Sequence, residues 1–474
     1  METNQKTHKP ENAQDNENSD RLSCLHDAIL FHIFSFLPTI YVVQSNILSK
    51  RWKTLWNSLP YLDFDDESVT SAMGIEHSEE TIRIKLTNLL NNFLLHRVSS
   101  TIFKFRLSTR CKFDGRQIND WISAAIRAGV KELDVSIGNL ENHMEYRLPS
   151  CLFNCSCLVT LKLSLDEALF RFPEFFCFPN LKSMHLNSVI LAKNFHQQLL
   201  NCPNLETLYL NDFFIDLDPV SSSNPIQDLT DRNRSEILSN LDYAFIGVIL
   251  NRLPIEDVGR LLGAFIRKLS NVKSLHLIYA NIKLLQYSEA WLLNHLPTFC
   301  NLKHLDLEVG SEDGDMVEAV ACLLQRSLVL QSLHLRYILE YGWPRKWHET
   351  LNSEEYIFVS MLAKLKKITL DDFWGTEKQI ELVKLFFGIQ RLEEIIIRLH
   401  ATKKDPILLR HQLLQLPRQS KKLVLLYETP EKKAVKEEPG GLQEATTHET
   451  ARTYAGPRSQ SEGQKETASP TLQH

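Results

Sequence analysis

Glycine is scarce in this chain, with 16 residues in 474, about half the usual share of ~7%. Neither G-x-G-x-x-G nor G-x-x-x-x-G-K-[S/T] occurs, which excludes the glycine-rich loops that cradle nucleotide phosphates. G-x-S-x-G is also missing, and with it the nucleophile turn of the α/β-hydrolases. Positive charge is not in excess: 53 Lys and Arg stand against 58 Asp and Glu, a net charge of -5. That argues against a general nucleic-acid binder, which needs a basic face. No apolar run approaches the ~20 residues of a membrane helix; the longest, Ala28–Leu37 and Tyr243–Leu250, fit buried elements. The first twenty residues are polar, without the apolar segment of a secretory leader. Nine cysteines, an odd number, fit reduced intracellular thiols. These absences lead us to expect a soluble protein of the nucleus and/or cytoplasm, with no cofactor, no membrane and no nucleic acid among its partners.

What is present is leucine, roughly one residue in six. The chain is too long for one core of about 100–200 residues, so it holds several domains or an array of repeats. Residues 1–19 and 431–474 are polar and nearly free of apolar side chains, and are expected to be disordered. In residues 20–66, Leu22, Leu25, Ile29, Ile33 and Phe36 recur at steps of three and four, one face of a helix. Pro38 closes that helix, and Val43, Ile47, Leu48, Trp52, Leu55 and Trp56 continue a compact helical unit. A unit this small rarely closes its own core and is expected to bury an apolar face on a partner. Residues 67–97 read as a linker helix through Ile82, Leu86, Leu89, Leu90 and Phe93.

From Val98 the rhythm changes. L-x-x-L-x-L, with Ile, Val or Met replacing Leu at some positions, occurs nine times, starting at Val130, Leu158, Leu181, Leu205, Val272, Leu302, Leu330, Leu365 and Leu392. Successive starts differ by 28, 23, 24, 67, 30, 28, 35 and 27 residues, mostly at or slightly beyond the roughly 20–29 of leucine-rich repeats. The long step holds a polar loop (Val220–Arg234), a degenerate repeat near Tyr243–Leu250 and a helical stripe over Ile255–Leu269. The alternating part of each repeat predicts a short strand with its leucines inward, and stacked repeats share one core. The expected fold is therefore α/β: a short all-helical unit, then a solenoid with parallel strands on its concave face and helices outside. Repeats run over 98–359, and further repeats of a distinct module over 360–430.

The chemistry-bearing clusters are few. Cys151, Cys155 and Cys157 lack the second close Cys or His pair of a zinc site and read as small buried residues before the Leu158 strand. The carboxylate pairs Asp65-Asp66, Asp371-Asp372 and Glu393-Glu394 are sequence neighbours, which on a strand face opposite ways; they read as solvated charge. The repeat geometry itself defines one surface. The residue between the last two leucines of each strand points to the concave side: Asp134, Lys162, His185, Tyr209, His276, Asp306, His334, Thr369 and Ile396. His304 and Arg336 flank this column. Of these, Lys162, His185, Tyr209, His276, His304, Asp306, His334 and Arg336 are the candidate target-binding residues.

The helical unit resembles the F-box of the large plant family of F-box/leucine-rich-repeat proteins. The resemblance rests on Ile29–Leu37, Pro38-Thr39, Leu48-Ser49-Lys50-Arg51-Trp52, Leu55-Trp56 and Leu62-Asp63-Phe64-Asp65-Asp66. Trp121-Ile122 before Val130–Asp134, Leu148-Pro149 and Asn201-Cys202-Pro203 extend it. Leu365–Ile368, Phe373, Gly375, Leu392-Glu393 and Leu416-Pro417-Arg418 resemble the family's C-terminal FBD module. What the resemblance implies is the substrate-recognition subunit of an SCF-type cullin-RING ubiquitin ligase, not an enzyme in its own right. The F-box would dock on a Skp-type adaptor, and through it a cullin, while the repeats hold a target protein. The adaptor-binding residues would be Leu25, Ile29, Ile33, Leu37 and Leu48, with Trp52 locking the helices. One departure stands out: the family's Leu-Pro-Asp is Leu25-His26-Asp27 here, which removes a helix-starting proline. The alternative is a repeat scaffold whose weakened F-box has no ligase role.

Overall fold

The computed structural model describes residues 25–48, 51–74, 78–95, 101–138, 146–165, 170–192, 194–216, 238–248, 255–287, 296–310, 322–338, 364–400, 406–416 and 422–427. The chain divides into residues 1–428 and 429–474. Both expected tails and the Val220–Arg234 loop lie outside the described residues.

The N-terminal helices are α1 (Asp27–Phe34), α2 (Thr39–Gln44) and α3 (Trp52–Leu55). Strand β1 (Tyr61–Asp65), then α4 (Asp66–Met73) and α5 (Glu79–Leu95), follow. Asp65 caps α4 by accepting from the Ser68 N–H at 2.6 Å, and Gly74 ends it at φ 78°, the left-handed conformation glycine adopts without strain.

Twelve more main strands continue β1: β2 (Lys104–Thr109), β3 (Glu132–Ile137), β4 (Thr160–Leu165), β6 (Ser183–Asn187), β8 (Thr207–Asp216), β9 (Tyr243–Val248), β10 (Ser274–Leu277), β11 (His304–Gly310), β12 (Ser332–Ile338), β13 (Lys367–Phe373), β14 (Glu394–Leu399) and β15 (Lys422–Tyr427). They pair in that order, each parallel to the next. A short side row joins β5 (Phe170–Arg171) to β7 (Val189–Ala192) and β7 to the far end of β8. This is the parallel-strand solenoid that the leucine pattern predicts. It begins earlier than the nine matches do: β1 lies within the F-box stretch, and β1 and β2 keep the apolar lead, Leu59 and Ile102, but carry phenylalanine at Phe64 and Phe105 in place of an aliphatic residue.

The strands form because alternate residues are apolar. β3 and β4 alternate half-buried and buried side chains along their whole length, and Leu133, Leu161, Leu186, Leu208, Leu275 and Leu333 are fully buried. Between strands, helices such as α6 (Gly115–Arg127) bury one stripe, here Ile118, Trp121, Ile122 and Ala125. A phenylalanine cluster fills the space behind β4–β7. Phe172 meets Phe153, Phe176 and Phe195 edge-on at 5.3, 5.0 and 5.6 Å between ring centroids.

An asparagine ladder ties the repeats where the chain turns into each strand. The side-chain amides of Asn180, Asn204, Asn240 and Asn271 donate to the carbonyls of Ser156, Pro179, Pro203 and Ser239, each in the preceding repeat, at 2.8, 2.7, 2.7 and 3.2 Å. Asn301 continues the ladder onto the Asn271 side chain at 2.6 Å.

Two smaller expectations need correction. Asp371 and Asp372 are not solvated charge: they are 8% and 9% exposed, because neighbouring strands supply the cations that pair with Asp371. Asp66 is likewise committed, accepting from the Arg110 N–H at 2.6 Å. Among the three clustered cysteines Cys155 is buried, but Cys151 is exposed. Among the described residues no group of three or more His, Cys, Asp or Glu could hold a metal ion.

Candidate protein-docking surfaces

The first surface is on the F-box helices. Leu30 and Phe34 face the core, at 0% and 4% exposure. One residue before each, Ile29 and Ile33 turn outward at 49% and 40%, and Leu37 continues that row, since residues four apart share a helix face. Leu48, at the end of the next helical segment, is 63% exposed. Leu25 is half-buried against the core. Trp52 is buried and meets Phe34 edge-on at 5.4 Å, so it sits behind the face and locks the helices. Two residues placed in the helical unit but not among the expected adaptor-binding residues belong to this exposed set: Phe36 at 74% and Ile47 at 92%. Phe36 lies on the same helical period as Ile29 and Ile33, a signal already legible in the sequence. So much apolar surface within one small unit marks a docking site.

The start of α1 is intact without the proline. His26 occupies the N-cap position with φ -64° and ψ 145°, and its Nδ1 accepts from the Ala28 N–H at 3.3 Å. An Arg51–Asp27 ion pair holds the same turn to α3. Histidine thus satisfies one of the free N–H groups of the first turn, something proline at that position could not do.

The second surface is the concave face. Strand register aligns one residue from every main strand into a single column: Asp63, Arg106, Asp134, Lys162, His185, Tyr209, Phe245, His276, Asp306, His334, Thr369, Ile396 and Val424. Asp63, Arg106, Phe245 and Val424 come from strands outside the nine leucine matches and were not among the expected members: β1, β2 and β9 keep an apolar lead but carry Phe64, Phe105 or Ala244 at a core position, and β15 has no apolar lead. His304 and Arg336 lie to either side, two residues along β11 and β12.

The column has three parts. At the F-box end Arg106 pairs with Asp63 at 2.7 Å and with Asp65 at 3.7 Å. Burial pushes the Asp134 carboxyl up, and Lys162 and Arg106 pull it back. In the middle, rings stack along the sheet: His185 on Tyr209 at 5.5 Å, Tyr209 on Phe245 at 4.2 Å, and Phe245 edge-on to His276 at 4.4 Å. Burial lowers both His185 and His276 to about 4, so both are neutral at physiological pH. In the third part His334 donates from both ring nitrogens, Nδ1 to Asp306 and Nε2 to Asp371, each at 2.9 Å. Burial works against its charge, but the hydrogen bonds to the two carboxylates outweigh it and raise the imidazole to about 9. Arg398 binds the other oxygen of Asp371. Burial would raise both aspartates, yet His334 holds each below its ordinary value.

Among the described residues no helix is long and apolar enough to cross a membrane.

Two family models match the chain: the F-box domain over residues 22–64, and the leucine-rich repeats of FBD-associated F-box protein At5g56370 over residues 118–227. Among curated proteins, the chain is 27% identical to the Arabidopsis thaliana F-box/FBD/LRR-repeat protein At1g13570 over 422 residues, covering 87% of this chain and 99% of the relative. It is 25% identical to F-box/LRR-repeat protein At4g14096 of the same plant, over 82% of this chain and 90% of that one. Putative FBD-associated F-box protein At5g56440, also from Arabidopsis thaliana, is 34% identical over 40% of this chain and 43% of its own length. Proteins of this type are adaptors, and neither matching domain is catalytic. The chain thus carries an F-box at one end of a leucine-rich solenoid and is similar over most of its length to plant F-box/FBD/leucine-rich-repeat proteins.

Proposed function

We propose that this protein is the substrate-recognition subunit of an SCF-type cullin-RING ubiquitin ligase. Its F-box docks on a Skp-type adaptor that joins a cullin, and its concave face holds a target protein in the nucleus and/or cytoplasm. The observation that carries this reading is the outward row of Ile29, Ile33, Leu37 and Leu48, exposed in front of a buried Leu30 and Phe34. The chain would contribute proximity: a captured target has a raised effective concentration beside the ubiquitin-charged enzyme. No group of its own needs to touch the reacting atoms.

The alternative, a scaffold without ligase role, rests on His26. It is weakened as far as folding goes, because His26 caps α1; only a direct proline–adaptor contact would be lost. Co-purification of the full chain with a Skp-type adaptor separates the two readings. The wild type should retain adaptor, while Ile33→Asp and Leu48→Asp should reduce retention at least tenfold without unfolding the repeats. If the wild type retains none and His26→Pro restores it, the scaffold reading stands and the ligase reading falls.

A further inference from the structure

Charge along the concave column is unevenly spent. At the F-box end Arg106 and Asp63 neutralise each other. At the other, Asp306, His334, Asp371 and Arg398 form a closed chain of ion pairs. From β4 to β10 the column reads Lys162, His185, Tyr209, Phe245 and His276. Both histidines are neutral there, so Lys162 is the one formal charge in that stretch of the column. Its neighbour in register is Asp134, whose carboxylate burial disfavours and Lys162 and Arg106 together favour; among the described residues no ion pair closes on the Lys162 ammonium itself. Beside this stretch runs a row of neutral hydrogen-bonding groups. Asn187 donates to Ser164 and Asn211 to Asn187, both at 2.9 Å, and Asn211 also holds Asp212 at 3.1 Å.

The stacked rings cover one another's faces, so it is their edges that line the column. Ring edges carry the positive part of the aromatic quadrupole and pair with the face of an incoming ring. Positive ring edges next to the Lys162 ammonium, whose neighbouring carboxylate Asp134 is shared with Arg106, complement a ligand that is aromatic and anionic together. Adjacent strands are ~4.8 Å apart, which puts Lys162 on β4 roughly 10 Å from Tyr209 on β8, two strands away. An extended peptide advances ~3.3 Å per residue, so one crossing the strands would cover that interval in two to four residues.

We propose that the target segment seated on this face is an acidic–aromatic peptide. An aromatic side chain lies across the edges of His185, Tyr209 and Phe245, and an Asp or Glu two to four residues away pairs with Lys162. This rests on the reading of the concave face as the target-holding surface and names the chemistry that the face selects.

The test uses the full chain, with a Skp-type adaptor supplied, and a phage-displayed library of random 12-residue peptides. Enriched sequences should place Trp, Tyr or Phe two to four residues from Asp or Glu. A synthetic copy of the best sequence should lose at least tenfold in affinity on Lys162→Glu and on Tyr209→Ala. Exchanging its acidic residue for lysine should recover binding on Lys162→Glu, which a merely misfolded variant could not do. Enrichment of basic or purely aliphatic sequences, indifference to both substitutions, or no enrichment at all overturns the proposal. Adaptor retention, measured on the same samples, keeps the two readings apart. Retention with no dependence on Lys162 sinks this proposal alone, whereas the expected peptides without retention sink only the ligase reading.

Discussion

His334 carries its proton between Asp306 and Asp371, and the pH window of its contribution follows from that geometry. A folded pKa of about 9 lies above the ordinary 6.5, so its stabilisation is complete below pH 6.5 and is lost as pH rises through 9. A shift of that size corresponds to up to about 3 kcal/mol. His185 and His276 act in the opposite sense. Their folded values are near 4, so the unfolded chain binds their protons first and stability falls as pH drops from 6.5 toward 4. Urea midpoints of the wild type and His334→Gln should therefore differ most at pH 6.5 and converge by pH 10. A gap that stays constant across that range would mean the side chain contributes packing rather than charge.

At the scale of the element, the repeat unit is a buried strand residue plus a tie to the repeat before it. Leu208 is fully buried on β8, and Leu208→Ala should cost about 2–5 kcal/mol, the range for emptying a core site. Asn204→Ala removes an exposed hydrogen bond to the Pro179 carbonyl and should cost about 1 kcal/mol. Hydrogen exchange should show the Asn204 loss confined to the flanking repeats, since each repeat touches only its neighbours. Spreading of the loss to β1 or β15 would contradict that locality.

The elements also show what one sequence can and cannot disclose. Nine strands were legible because leucine recurs at a fixed offset within a few residues of chain. β1 and β2 bury Leu62 and Phe64, and Phe105 and Leu107, in the same alternation behind the buried leads Leu59 and Ile102, but phenylalanine at a core position takes them outside a pattern written for aliphatic residues. An asparagine precedes several strands, at Asn180, Asn204, Asn240, Asn271 and Asn301, and as a residue type it suits a turn. Its acceptor was not legible, since it sits in a different repeat, 24 residues back for Asn180 and 37 for Asn240. On the concave face, the Asp306–His334 contact follows from register. The second carboxylate, Asp371, comes diagonally from β13, where it pairs in register with Arg336, and no spacing announces it. On the F-box, exposure separated Ile29 and Ile33 from Trp52, whereas sequence resemblance had set them side by side.

For the whole molecule, the F-box is not a bead on a linker. Asp63 on β1 donates its N–H to the Thr39 hydroxyl at 2.8 Å. Phe93 of α5 meets Trp56 at 4.9 Å and Phe64 at 5.7 Å, and Phe64 meets Phe105 of β2 at 6.0 Å. One continuous apolar core runs from Leu30 to Leu413. Phe64→Ala should cost about 3–5 kcal/mol, and amides of α1–α3 and of β1–β2 should lose exchange protection together. Retained protection in β2 with loss in α1 would show two independent units.

Because β1 is both the end of the F-box and the first rung of the sheet, the ladder would, on the proposed function, work as a ruler with its zero at the adaptor. Thirteen rungs at ~4.8 Å each span on the order of 60 Å of arc. Where along that scale a target is gripped would then fix which of its lysines come within range of the transferred ubiquitin. The inserted or lost repeat of a relative would then redirect modification to a different lysine while leaving both grips chemically unchanged.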